Sequence, residues 1–474
     1  MKTRVSFMLA AVLLFTAHSY ARTVRGTVKG EDKPLGGVLV TDGFSFVQTD
    51  NTGAYSIELN DKAEFVYIVT PKGYVADYTS GVPQFFQRLD PQKDTYAFAL
   101  QQMTGDPDRY AMITMADPQI DTAEDADKLM DTTLKDIQET AKAYTDVQLA
   151  GIVLGDISWD VYSHNETYYK PFAQQLPFPV YPAIGNHDYD KFAPVTDTTD
   201  YEAQYKRSFG PVYYAFQLSD AYYVVLSNMH YTGNKRYRVT LDQMPDQMHW
   251  LEQLLNSAIN MGNRIYICMH CPLKFSSESG LIGGGQHLKD MLDNKFEGVI
   301  LTGHMHHNNN FDIGGGIMEH NLGALCGNWW TNDYASDGTP CGYQVFEGKG
   351  REYPKWYFKA TGHPKEYQFR LYQVGRVMDK PHSVVAKIWN WDKGWRVRWY
   401  QDGQLMGDME QFFSFDPDYC EYVNGARVWD DYIPFRNNHF FATPQLKGKH
   451  EIKVEAIDHA GVTYTETINI DLPE

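Results

Sequence analysis

At 474 residues, with 43% hydrophobic and 14% aromatic content, the chain is too long for one ordinary domain. It can build about two to four cores, which excludes a disordered protein. Its net charge of −18 gives no general attraction to nucleic acid or to an anionic membrane surface, so neither is an expected partner. An anionic substrate would need a local attractor, and a bound cation would serve.

The chain begins MKTRVSFMLAAVLLFTAHSYARTV. Lys2 and Arg4 form a positive start, Val5 to Thr16 is an apolar run too short to span a bilayer, and Ser19 and Ala21 supply small residues at the −3 and −1 positions. This predicts a signal peptide over 1–21, cleaved near Ala21, and export to the periplasm or beyond. No Cys follows the run to carry a lipid anchor. No later stretch reaches the ~18 apolar residues of a transmembrane helix. The five cysteines leave at least one thiol unpaired within the chain. Cys268 and Cys271, in CMHC, read as small buried residues flanking a histidine.

Residues 22–105 alternate as short strands around Gly, Pro and Asp turns, predicting an N-terminal β-sandwich. Gly26, Val38, Val40, Asp42, Gly53 and Tyr55 give this segment a pattern that resembles the carboxypeptidase regulatory-like β-sandwich. That resemblance implies a fold and no activity.

From 106 to 335 apolar runs rich in Val, Ile and Leu alternate with helical stretches. Ala126, Met130, Leu134, Ile137, Ala141 and Tyr144 recur at three- and four-residue steps, as one face of a helix does, and HWLEQLLNSAI repeats the pattern. Strands alternating with helices predict an α/β layer fold around a buried sheet. From 336 to 474 the helical period disappears. KEYQFRLYQV, GWRVRWYQDG and HEIKVEAIDHAGVTYTETINIDL alternate as strands, predicting a C-terminal β-sandwich. Trp389, Trp391, Trp395 and Trp399 there either fill the core or form a stacking surface for a glycan or envelope partner.

The middle domain carries the chemistry. YAMITMADPQ ends in Asp117 and Gln119. LAGIVLGDISWD ends in Asp156, with Asp160 beyond. FPVYPAIGNHDYD ends in Asn186, His187 and Asp188. RIYICMHCP ends in His270, and FEGVILTGHMHH in His304, His306 and His307. Any one cluster is explained by turn chemistry or a structural histidine. Together they predict one site, because ligands of α/β sheets gather outside the carboxyl ends of the strands. Imidazole, carboxylate and amide oxygens suit Mn, Fe or Zn. Two cations roughly 3.5–4 Å apart need negative charge between them, and Asp156 is the candidate bridge.

The order Asp-x-Gln, Gly-Asp, Gly-Asn-His-Asp, His, Gly-His-x-His resembles the calcineurin-like metallophosphoesterase family, over about half of the chain. The three-part layout is similar to secreted bacterial members with a β-domain on each side. The resemblance implies a central α/β sandwich and two divalent or trivalent transition-metal ions. Asp117, Gln119, Asp156 and His306 would hold one, and Asp156, Asn186, His270 and His304 the other. It further implies phosphoester hydrolysis by metal-bound hydroxide, with His187 facing the substrate and Asp188 orienting its ring. Gln119 stands where the family usually has His, which bears on the identity of the metal. His304 and His306 are expected to alternate along an extended segment, with His307 pointing away and the asparagines forming a turn. The loops at 189–202 and 274–287 are the expected substrate walls, with Trp159, Asn328 and Trp329 as further substrate contacts. The rival expectation is a non-catalytic envelope or glycan-binding protein with a vestigial phosphoesterase domain.

Overall fold

The structure is a computed structural model and describes residues 22–193, 201–233, 235–257, 263–293, 295–350, 352–426 and 433–473. The expected signal peptide and part of the 189–202 loop lie outside the described residues.

Residues Thr23–Gln102 form two small sheets. In the Thr23–Gly30 strand Val24 and Val28 point inward and the charged residues outward, so alternation sets the face. Asp42 closes a turn: its carboxylate accepts from the backbone N–H groups of Phe44, Ser45 and Asn60 at 2.7–2.9 Å.

The central domain is a sandwich of two sheets. In the first, Asp106–Met115, Val147–Val153 and Val180–Pro182 run parallel. In the second, Arg264–Cys268 lies parallel to both Ala221–Val225 and Glu297–Thr302, and Ile317–Asn321 continues the sheet. Met112, Ile152, Tyr223, Ile265, Ile267 and Leu301 fill one shared core. The predicted helical face exists. Thr122 and Asp125 form a capping box, and Leu129, Leu134, Ile137 and Ala141 pack with Ile113 and Val345 of the first sheet. The run includes a π-helical turn at Leu129–Thr133. Pro245–Ser257 buries Trp250, Leu251 and Leu254 in the core of the second sheet.

Two expectations about the domain layout change. Gly342–Lys349 and Lys355–Ala360, expected in the C-terminal domain, complete the first central sheet. Gly342–Lys349 pairs antiparallel with Asp106–Met115, Thr114 opposite Gln344 and Arg109 opposite Lys349. An alternating strand does not encode which sheet it joins, so a boundary at 335 could not be corrected from pattern alone. The C-terminal region consists of two four-stranded antiparallel sheets as expected, but it also carries a helix, Pro417–Ala426. Asp416 starts it by accepting from the N–H groups of Asp418 and Tyr419. Ten residues are too few to display a helical period above the surrounding alternation.

Trp389 and Trp399 are buried and Trp391 and Trp395 partly so, which leaves no common stacking face. Trp389 packs against Phe358 and Ala360 of the central sheet. The asparagines after His307 do not make a turn. Asn309–Gly314 is a strand, and Asn308 and Asn310 reach across the domain seam. The Asn308 amide donates to the Trp389 carbonyl (3.2 Å), and the Asn310 amide to Asn390 Oδ1 (2.8 Å) and the Trp391 carbonyl (2.9 Å).

The same seam buries an ionic cluster. Lys387 is fully buried; its ammonium donates to the Asp337 carbonyl and lies 3.4 Å from Asp416. Lys387→Ala would leave buried carboxylates without their cation, and the expected loss is about 3–5 kcal/mol. A urea midpoint unchanged from the parent chain would contradict this.

Candidate metal centre

The five strand ends meet at one edge of the sandwich and are laced together through backbone. Gln119 N–H donates to the Asp156 carbonyl (2.9 Å), Gly303 N–H to the His270 carbonyl (2.8 Å) and Cys326 N–H to the Asp117 carbonyl (3.3 Å). Two glycines allow the approach. A Cβ on Gly185 would fall 2.0 Å from the backbone nitrogen of Asp156, and one on Gly303 2.7 Å from the Asp117 carboxylate. The lacing also bends the chain. Asp117, Gln119, Asp156, Asp160, His304, His306, Trp329 and Trp330 all have φ between +41° and +72°. Left-handed backbone costs about 1–2 kcal/mol for each non-Gly residue, and such positions concentrate where side chains must be aimed. His304 and His306 therefore do not alternate along an extended segment; each is aimed by its own left-handed turn.

Donor atoms converge on the His270 ring. Its Nε2 is 3.1 Å from Asn186 Oδ1, 3.2 Å from Asp156 Oδ2 and 3.2 Å from His304 Nδ1. Ligand atoms around one ion with bonds of about 2.0–2.2 Å sit at such separations. On the other side of Asp156, His306 Nε2 lies 3.6 Å from Asp117 Oδ1. Two rings are oriented from behind, with His270 Nδ1 on the Leu154 carbonyl (2.7 Å) and His306 Nδ1 on the Gly327 carbonyl (2.9 Å). A carbonyl acceptor fixes the proton on Nδ1 and turns the lone pair of Nε2 inward, as metal-binding histidines require. Gln119 reaches the centre with its amide nitrogen on Asp156 Oδ2 (3.0 Å) and its oxygen 3.7 Å from Cys326 Sγ. Offering oxygen to a cation requires half a turn of the amide. Its nitrogen would then face Cys326 sulfur, a weak acceptor.

The charges conflict without an external cation. Burial, with the Asp156 charge added, pushes the Asp117 carboxyl up to about 8 against the pull of His270. Burial also works to raise Asp156, but His270 and His187 outweigh it and hold that carboxyl below its ordinary range. His270 rises to about 9 because the Asp156 charge overcomes desolvation. Burial and the His270 charge push His304 down to about 3; His306 falls to about 4, mainly through burial. This is a donor set of buried carboxylates, imidazoles and two amides, and it fits a transition-metal pair.

Asp160, not Asp188, meets the His187 ring. His187 Nδ1 lies 3.0 Å from Asp160 Oδ1, and the Lys191 ammonium holds the same oxygen at 2.5 Å. Burial would raise Asp160, but the hydrogen bonds from His187 and Lys191 hold it below its ordinary value. Asp188 faces inward and ties two loops together. It accepts from Gly185 N–H (2.7 Å) and Ile157 N–H (3.0 Å), and burial, with the Asp156 charge, raises it to about 7. The sequence signal for Asp160 was the second Asp of GDISWD; Lys191 offered none.

Trp159 stacks on His187 at 3.9 Å, and Trp329 meets Trp159 edge-on at 5.9 Å, so both flank the centre. Asn328 does not join them: its amide donates to the Tyr419 hydroxyl (2.8 Å) of the C-terminal helix. His307 points away as expected and stacks on Phe435 at 3.9 Å.

Comparison with known proteins gives the class. The chain belongs to the calcineurin-like phosphoesterase family. Residues 121–308 match the calcineurin-like phosphoesterase model, 22–103 that of its N terminal region and 319–464 that of its C terminal region. It is thus a phosphoric ester hydrolase with metal-dependent chemistry, and the family implies a dinuclear centre. Among solved structures it is similar to a dimetal phosphatase from Danio rerio, with 14% identity over 52% of this chain and 98% of that one and a TM-score of 0.35. It is also similar to a 5'-nucleotidase from Candida albicans, with 14% identity over 54% of this chain and 51% of that one and a TM-score of 0.34. No curated protein matches it.

Asp188→Ala removes a buried acceptor from two backbone donors, with an expected loss of about 1–3 kcal/mol. Asp160→Asn keeps an oxygen acceptor for His187 and Lys191 at a partly exposed site, and should cost clearly less. Thermal melting of the two variants checks the difference, and equal losses would contradict these separate roles.

Proposed function

We propose that this chain hydrolyses phosphoesters at a two-metal centre, where Asp117, Gln119 and His306 would hold one ion, Asn186, His270 and His304 the other, and Asp156 would serve both. The observation that carries this reading is the convergence of Asn186 Oδ1, Asp156 Oδ2 and His304 Nδ1 within 3.1–3.2 Å of His270 Nε2. When bound, the two cations neutralise the phosphate and make water nucleophilic near neutral pH.

The protein groups do the rest. Asp160 accepts the Nδ1–H of His187, which fixes the plane of the ring against Trp159. Nε2 is then the atom that protonates the leaving oxygen, which departs as an alcohol. Lys191 holds Asp160 in place and keeps it ionised. Trp159 and Trp329 form an apolar rim that limits water around His187.

Elemental analysis after reconstitution with Mn, Fe or Zn should find about two ions per chain; only trace metal would reject the centre. Turnover across a panel of phosphomonoesters and diesters tests the reaction itself. His187→Ala should keep its metal and lose roughly 10²–10⁴-fold in rate on an ester with a poor leaving group. An activated aryl ester is a weak test, because its leaving group needs no proton.

Gln119 and Asp156 are separated by metal titration. Gln119→Ala is expected to weaken one ion and Asp156→Ala both, since only a carboxylate between two cations screens their repulsion. Gln119→His should be tolerated and tighten the first position towards Zn, for which imidazole is the better donor. Release of both ions by Gln119→Ala would displace Asp156 as the bridge.

A further inference from the structure

A second concavity opens beside the centre. It is a cleft of about 490 Å³ between the loop at 274–278, the Asn309–Gly314 strand and the C-terminal domain. Phe275, Phe311, Trp391, Phe413 and Phe435 all contribute to its walls. Its size suits a small organic group.

One contact joins the cleft to a metal ligand, and a second reaches the residue next to another. The Phe275 ring stands edge-on to His304, with centroids 6.3 Å apart. Phe435, from the C-terminal domain, stacks on His307, the residue after His306. A phosphoester whose phosphate sits among these ligands must send its organic part past one of the neighbouring walls. Trp329, with Trp159 and His187, stands against His306, whereas Phe275 stands against His304 and also lines the cleft.

The chemistry of the walls narrows the occupant. Flat rings accept another flat ring by offset or edge contacts. They would also accept a quaternary ammonium, but Lys274 lies over the Phe311 ring and already occupies that role. Asp312 is neutralised by Lys393 at 3.4 Å, whereas Lys274 lies over the Phe311 ring and enters no salt bridge among the described residues. Arg436 is likewise paired with Asp379 at 3.5 Å, and Glu278 adds a negative charge to the lining, so the surface is aromatic with mixed charge and Lys274 as its cation outside any salt bridge among the described residues.

Resting on the phosphoesterase reading above, we infer that the cleft is the leaving-group subsite and takes a planar aromatic alcohol portion, so that aryl-bearing phosphoesters are the preferred substrates. The C-terminal domain is then part of substrate selection.

The test uses phosphonates, which carry a stable C–P bond and report binding without turnover. Calorimetric titration of the full, metal-reconstituted protein would compare 2-naphthylmethylphosphonate, cyclohexylmethylphosphonate and methylphosphonate. The naphthyl ligand should bind on the order of tenfold tighter than the methyl one. It should also bind clearly tighter than the cyclohexyl ligand. Phe413 is 51% exposed, so Phe413→Ala should fold, and it should shrink the naphthyl-to-methyl ratio several-fold. A ratio unchanged by Phe413→Ala, or equal binding of the saturated and aromatic ligands, overturns the inference. Failure of the protein to hydrolyse any ester of the panel would reject the phosphoesterase reading instead, and would leave the phosphonate ratio readable.

Discussion

Two buried carboxylates set the terms for this molecule. Asp117 and Asp156 lie at the joined edge of two sheets with 1% or less of their surface exposed. Among the described residues no lysine or arginine pairs with either; histidines do. Burying such charges in a protein interior costs several kcal/mol each unless opposite charge is close. That single requirement explains why the surrounding chain is built as it is. Histidines are held with their lone pairs inward, an amide from Asn186 supplies a neutral oxygen, and glycines let backbone approach where a side chain would collide. Eight residues accept left-handed backbone to aim these groups, a cost that the packed sheets beneath can support.

The second constraint is the way the three parts are joined. The loop that carries His304 and His306 continues directly into Asn308 and Asn310, whose amides bind the Trp389 and Trp391 carbonyls and the Asn390 side chain. Asn308 Oδ1 accepts in turn from Gly323 N–H and the Gln344 amide. The ligand loop is thus held from the central sheet and from the C-terminal domain at once. Tyr419, reached by Asn328, adds a further tie on the same side. Rigidity in this region comes from hydrogen bonds to buried backbone, which are costly to leave unmade.

Much of this was legible in the sequence, for a definite reason. Polar residues that end apolar runs stand out against strand patterning, so Asp117, Asp156, Asn186, His270, His304 and His306 could be gathered before any coordinates. What was hidden depends on direction. Asp188 follows His187 in the chain and looked like its partner, but consecutive side chains in a tight turn diverge, and Asp188 turned inward to backbone donors. Asp160 lies 27 residues from His187 and meets it only because the loops fold over each other. The strand at 342–349 was recognisable as a strand, yet its neighbour was not, since alternation is the same in either sheet. The asparagines read as turn formers because Asn favours turns; their partners lie in another domain.

The asparagine ties also bear on the order in which the molecule can be made. The groups that receive Asn308 and Asn310 lie 80 or 81 residues further along the chain. A chain emerging from its N-terminus can therefore close its first parallel strands while the His304–His306 loop still lacks its outer support. The last ligand loop can settle only after the segment at 389–391 has also emerged. A chain ended between 310 and 389 would therefore carry every one of the candidate ligands but lack the backbone partners that brace their last loop.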